Sequence, residues 1–414
     1  MKKLGLLIAA LLLSSQSYSM TLDDLVLQLE ENGYSAKYRT LEQKQLSIDN
    51  KKIERIDRDG IDLKGSGKFT DDANGERSSG LVSASYDFLK YEGEYDEEYN
   101  GENKQLVGLE KNLKDIFYGD RKYNRNLFTI DEVIRLNFED QRMEGEILSL
   151  IDTYKTLMDT RLELKLKKGL LPSLEADAVK LERGFNTGQS SKLDYKYSKM
   201  RLKNLNNDIE QLNLDLVQIE KTFETVFNLR IYSDIKYSKL EKLYTGDINN
   251  IGDRSMENID LSIDQVKENK KYSAYSTSWP DLNAGTFYDV KNDGWLVRLS
   301  IDKTLFEYDN TTATYEVEKE RLEMEKKKLE KNLENLKNEY FNRYNFLVKE
   351  VTNLKLQKEV DEMTYMMYKL NYEQGNETYI NYIEKYENYI INSIELEKKE
   401  NELTAFIYEM QYRR

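Results

Sequence analysis

The chain has 414 residues, of which 33% are charged and only two are proline, a composition that suits long solvated helices better than a compact globule. Its formal charge is −14, or −16 once a leader carrying Lys2 and Lys3 is removed, which argues against nucleic acid as a partner. Lacking both Cys and His, it offers no disulfide, thiol nucleophile, imidazole base or His/Cys metal site, and its scattered carboxylates mark no catalytic centre; no enzyme, cofactor or metal is expected.

Residues 1–19 read as a secretory signal peptide: two lysines, an apolar run from Leu4 to Leu13, and Ser17 and Ser19 at the recognition spacing around Tyr18. That run is too short for a membrane span. No later stretch approaches eighteen apolar residues, so an exported chain is expected, and any membrane residence must use β-strands.

Thr21 is placed to cap a helix carrying Leu22, Leu25, Val26 and Leu29 at helical spacing. Asn32-Gly33 interrupts this helix before it resumes through Leu41, Ile48 and Ile53. The period then changes to two. Residues 61–69 alternate Ile61, Leu63 and Phe69 against Asp62, Lys64, Ser66 and Lys68. Residues 81–88 alternate Val82, Ala84, Tyr86 and Phe88 against Ser83, Ser85 and Asp87, with turn chemistry in between. An acidic stretch, 90–103, precedes a third strand-like piece at 105–113. Long helical sequence runs to about Leu229, followed by a polar, irregular segment, 230–258, and a shorter helix to about Ser276. Pro280 ends that helix, and Asn292-Asp293-Gly294 turns a β-hairpin over 282–302. From Thr304 the pattern is helical almost to the end.

The order helix, hairpin, long helix, helix thus occurs twice, as repeat 1 over 20–229 and repeat 2 over 259–414, joined by 230–258. The long helices carry heptad-like stripes, Leu329, Leu333, Leu336, Tyr340, Leu347, Val351 and Leu354 in one, and Leu202, Leu205, Ile209, Leu212, Leu216, Ile219 and Phe223 in another. These predict left-handed packing of neighbouring rods, each roughly 100 Å long. A glycine punctuates each long helical run, Gly188 in "FNTG" and Gly375 in "YEQG", at matching distances from "IFYG" (116–119) and "LFEY" (305–308). A chain reversal at each is expected, since glycine tolerates the backbone such a turn needs. Gly169, Pro172 and Ser173 form a competing turn signal, read here as a kink or restart because repeat 2 has no counterpart.

This arrangement resembles the TolC-like outer membrane efflux proteins over essentially the whole mature chain. The most specific points are the element order, the passages "DIFYGDRKYN" and "KTLFEYDNTT", and the paired aromatic-x-x-Gly motifs, followed six residues later by Asp194 or Asn381. The resemblance implies a mainly α fold with a small β part, in which long coiled-coil-like helical hairpins in two structural repeats continue from β-hairpins that form a shared trimeric outer-membrane β-barrel. It implies four strands per protomer. The hairpin at 282–302 supplies two; of 61–69, 81–88 and 105–113, the first two are favoured, one of them allowing for an extracellular excursion. The implied partners are two further copies of the chain, a periplasmic adaptor, an inner-membrane transporter and outer-membrane lipid.

The resemblance also places a gate and an adaptor contact at the periplasmic tips. The contact turns would be Gly188, Gln189, Ser190, Gly375 and Asn376. Matching the gate residue by residue gives Asp194 on the first hairpin and Tyr372 on the second, as a carboxylate–phenol pair, with Lys192 or another local base in support. The family's gate arginine falls on Glu377, and its acidic rings fall on Asn381, uncharged here, and Glu384. A periplasmic coiled-coil adaptor or other interaction protein without a barrel, and a surface fibre, are the alternative readings. The first would need no membrane strands, and the second would show continuous heptads without paired hairpins.

Overall fold

The computed structural model describes residues 21–55, 61–72, 75–96, 104–230, 248–303 and 310–413. The expected leader, most of the polar connection and residues 305–308 lie outside them. Helices α1 (Leu22–Asn32) and α2 (Tyr34–Glu54) lead into strands β1 (Asp62–Asp72), β2 (Gly75–Tyr86), β3 (Leu89–Asp96) and β4 (Lys104–Asn112). Then come α3 (Leu113–Tyr118), α4 (Asp120–Asn186), α5 (Lys192–Phe227) and α6 (Asp253–Ser278). A second strand pair, β5 (Asp281–Asp289) and β6 (Gly294–Asp302), precedes α7 (Thr311–Glu373) and α8 (Tyr379–Tyr412). Helix α4 runs unbroken through Gly169 and Pro172, so the competing turn signal makes no turn. Helix α6 starts at Asp253, inside the segment expected to be irregular.

Two compact units emerge, one from Met1–Arg39, Glu139–Arg254 and Lys331–Arg414, the other from Thr40–Phe138 and Ser255–Glu330. Each draws on both repeats, so compactness and internal repetition divide the chain differently. In the first, helical unit, Thr21 and Asp24 form a reciprocal capping box that starts α1. Gly33 ends it with extended backbone, and only glycine fits there, since a Cβ would lie 2.5 Å from the Leu29 carbonyl oxygen. Leu22, Leu25, Val26 and Leu29 are then buried against Leu150, Ile151 and Tyr154 of α4, Phe223 of α5 and Tyr408 of α8. Each such aliphatic side chain contributes about 1.5–3 kcal/mol. Ion pairs lace the rods together: Lys167 with Asp208 at 2.9 Å and Lys398 with Glu163 at 2.5 Å.

The second unit is built on one antiparallel meander with strand order β1-β2-β3-β4-β5-β6. Six strands are present where five strand pieces, four of them membrane crossings, are expected. The piece at 105–113 is the strand β4, ending at Asn112, and the acidic stretch contains a further strand, β3, that composition concealed. Residues 70–80, expected as a turn, mostly extend β1 and β2. Beneath the sheet, Glu268 of α6 accepts from the Tyr118 hydroxyl and the Asn126 amide, tying α3 and α4 to α6.

Register sorts most side chains by face. Leu63 lies opposite Ala84, which lies opposite Tyr91, then Val107, Tyr288 and Trp295, so one row crosses all six strands on one face. Leu89, Leu109, Val297, Leu299 and Ile301 share that face, and Leu63, Trp295 and Val297 are 74%, 78% and 75% exposed. The opposite face carries the charges, with Leu81, Leu106 and Leu296 among them: Arg298 of β6 reaches back to make two bonds, of 2.9 and 3.0 Å, to Glu92 of β3, which also pairs with Lys90. Phe287 is fully buried on this face over Gly108, where a Cβ would sit 2.6 Å from its ring.

Candidate functional site at the hairpin tips

Both helical hairpins reverse with the same hydrogen bonds. At the first, the Gln189 N–H donates to the Gly184 carbonyl (2.7 Å) and the Gly188 N–H to Phe185 (3.1 Å). At the second, Asn376 donates to Asn371 (2.9 Å) and Gly375 to Tyr372 (3.0 Å). These six-to-one and five-to-two bonds define a Schellman cap, whose penultimate residue must be left-handed. Gly188 and Gly375 occupy that position with φ of +77° and +78° and open space around both.

The next helix restarts four residues after the glycine in both cases, behind an N-cap at Ser191 or Thr378. Ser191 Oγ accepts from the Asp194 N–H at 3.0 Å and donates to the Asp194 carboxylate at 2.7 Å. Thr378 Oγ1 accepts from the Asn381 N–H at 3.3 Å. Glu377 accepts from the Thr378 N–H (2.9 Å) and the Asn381 side-chain amide (2.7 Å), and these bonds hold its pKa below the ordinary value. Asp194, Asn381 and Glu377 therefore all serve helix starts. Glu384 is exposed one turn further on, 3.4 Å from Lys385.

Tyr372 faces inward. Its ring stacks on Tyr382 with centroids 5.1 Å apart and meets Tyr379 edge-on at 5.9 Å. Tyr365 continues the stack to Tyr386 at 4.6 Å and Tyr389 at 5.8 Å. Leu170, Leu174, Leu181 and Leu205 of the first hairpin pack against this tyrosine ladder. No hydrogen bond joins Tyr372 to Asp194 within the chain, although burial and then the charges of Asp177 and Asp194 raise the phenol's pKa. Lys180, not Lys192, stands over the Tyr372 ring, at 5.3 Å.

Sequence reading missed Asp177. It lies on α4 beside the ladder, its Oδ2 is buried without a hydrogen-bond partner, and burial raises its pKa against only a partial counter-effect from Lys180. Its charge acts on Tyr372, Tyr379, Tyr382 and Tyr386 alike. The tyrosines recur three and four apart on each side of the turn (365, 368, 372 and 379, 382, 386, 389), a spacing that reads equally as packing. Among the described residues, no cluster of three or more acidic side chains could hold a metal ion.

Solved structures share this fold. CusC, a protein described for transmembrane channel formation, superimposes with a TM-score of 0.70 at 10% identity, covering 94% of this chain and 91% of that one. The outer membrane protein VceC of Vibrio cholerae gives 0.65 at 11% identity, over 94% and 96%. The open state of the MtrE outer membrane channel of Neisseria gonorrhoeae gives 0.64 at 14%, over 95% and 88%. No protein-family model and no curated protein matches the sequence. The chain thus has the fold of the TolC-like outer membrane channels, long helical hairpins joined to an antiparallel sheet.

Proposed function

We propose that three copies of this chain form an outer-membrane efflux channel whose helices carry a tunnel into the periplasm. It is passive in itself and takes substrates from an inner-membrane pump through a periplasmic adaptor. The observation that carries the reading is the sheet, with one continuous apolar face exposed and the other charged. Such a face suits lipid on one side and a water-filled lumen on the other. Among the described residues no helix is long and apolar enough to cross a membrane, so insertion would rest on strands.

A second feature supports self-association. On α7, Leu356, Val360, Met363, Met367 and Leu370 alternate four and three apart, and all are more than half exposed. That is a coiled-coil seam with no partner among the described residues of its own chain, and a neighbouring protomer's helix would supply one. In this reading the tips at Gly188 and Gly375 narrow the periplasmic end and meet the adaptor through Gln189, Ser190 and Asn376. Asp194, Tyr372, Glu377, Asn381 and Glu384 surround the opening.

The test is to separate inner from outer membranes of cells making the full chain and to follow its mobility in SDS without heating. Recovery with the outer membrane as an SDS-resistant trimer, and steady conductance in planar bilayers, are expected. A soluble periplasmic monomer would sink the proposal in favour of an adaptor-like hairpin protein.

A further inference from the structure

Resting on that reading, we infer that all six strands of each chain stand in the membrane wall. Three copies then close a barrel of eighteen strands, with β1 of one chain paired to β6 of the next, instead of the twelve-stranded wall the resemblance implies.

Three observations lead there. The first is edge occupancy. If only four strands formed the wall, β3 would have to pair with a neighbouring chain, yet its outer edge is already taken by β2 from Ser79–Asp96 through Tyr86–Leu89. Among the described residues the outer edges of the sheet are those of β1 and β6. The second is length. Strands β1 and β2 have 11 and 12 residues, enough for the 9–11 a tilted membrane strand needs.

The third is the course of the apolar stripe. Leu63 and Trp295 lie in one row, but from that row the stripe on β1 runs toward its turn, to Phe69, while the stripe on β6 runs the opposite way, to Ile301. Its centre therefore shifts by about six residues over five strand-to-strand steps, or ~4 Å along the strands for each ~4.8 Å across, a slope of ~40°. Strands in closed membrane barrels tilt by roughly 35–45°. A level hydrocarbon layer laid across this sheet thus crosses all six strands at the tilt a barrel requires, and β1 and β2 fall on the same line as β5 and β6. An extracellular hairpin would have no reason to keep that line, nor to set Leu63, Gly65, Gly67 and Phe69 against Lys64, Ser66 and Lys68.

The chain has no cysteine, so each introduced thiol is unique. Leu63→Cys, Phe69→Cys, Lys64→Cys and Lys68→Cys probe β1, and Val297→Cys, Leu299→Cys and Ser300→Cys probe β6. Each is made in outer membranes and exposed to a membrane-impermeant maleimide; separately, a bimane-labelled sample is tested for quenching by nitroxide lipid. Positions 63 and 69 should escape the maleimide and be quenched by lipid, as 297 and 299 are, while 64, 68 and 300 react through the aqueous lumen. Alternation on β6 with all four β1 positions open to maleimide would overturn the six-strand wall and leave the channel reading intact. Loss of alternation on both strands would remove the channel reading as well. Paired cysteines scanned along β1 and β6 should yield disulfide-linked oligomers in at least one register; none in any register would also overturn the closure.

Discussion

The two hairpin tips turn with the same pair of backbone bonds, yet their side chains are not equivalent. Tyr195 and Tyr382 each lie seven residues past the tip glycine. Tyr195 stacks on Phe185 at the surface and donates to Glu182, whereas Tyr382 is buried in the tyrosine ladder. The first hairpin brings leucines, Lys180 and the unpartnered Asp177, and the second brings the aromatic stack. A repeated backbone device has therefore been combined with specialised packing, and the pair becomes one structure only where the two sequences differ.

Truncating the equivalent tyrosines should break the comparison most widely. Tyr382→Ala removes a buried ring from a multi-ring stack and is expected to cost about 3 kcal/mol, against about 1 kcal/mol for the half-exposed Tyr195→Ala. Hydrogen exchange of the amides at 371–376 and 184–190 checks this. Equal losses of protection would mean that the ladder does not hold the tips.

The glycines should restore the symmetry. Alanine at either position meets no neighbouring atom, so only the left-handed backbone resists it. Gly188→Ala and Gly375→Ala should each cost about 1 kcal/mol, read from exchange at the Gln189 and Asn376 amides. A difference larger than about 0.5 kcal/mol would show that packing contributes at one of them.

Asp177 gives a smaller, pH-dependent contrast. Its folded-state pKa is raised by burial above the ordinary 3.8, so the folded tip holds the proton more tightly than the unfolded chain. The stability associated with the protonated form is complete below 3.8 and is lost as pH rises through the raised folded value. Asp177→Asn should therefore stabilise the tips at neutral pH, by no more than about 1 kcal/mol because solvent still screens part of the carboxyl. It should also abolish the decline in tip protection across that window. An unchanged decline would assign it to another acid.

Much of this was legible in the sequence, and the failures have physical causes. The tips could be read because a left-handed cap demands glycine, and two glycines stood at matching distances from two strand-to-helix passages. Strand β3 was hidden by its acids: Leu89, Tyr91, Gly93 and Tyr95 alternate with Lys90, Glu92, Glu94 and Asp96, a full period of two. Glu92 and Glu94 are tolerated because they lie on the face where Lys90 and Arg298 meet Glu92. Asp177 gave no signal at all, since its burial is made by side chains on other helices that spacing along its own helix does not report.

The smallest expected effect concerns the helix starts. Asp194 and Asn381 occupy the same capping position, but only Asp194 places a carboxylate against the positive end of its helix, where it also accepts from Ser191. Asp194→Asn should weaken the start of α5 by about 0.5 kcal/mol, and the loss should shrink as salt is raised. The reverse change is not its mirror image. Asn381 donates to Glu377, and in Asn381→Asp that bond is replaced by two facing carboxylates. Any gain from the helix end is then opposed by repulsion, so α8 should start less firmly at neutral pH and recover on acidification. Exchange of the amides at 194–196 and 381–383, measured at two salt concentrations and two pH values, separates the two cases. A stabilised α8 in Asn381→Asp would show that Glu377 turns away when its amide partner is lost.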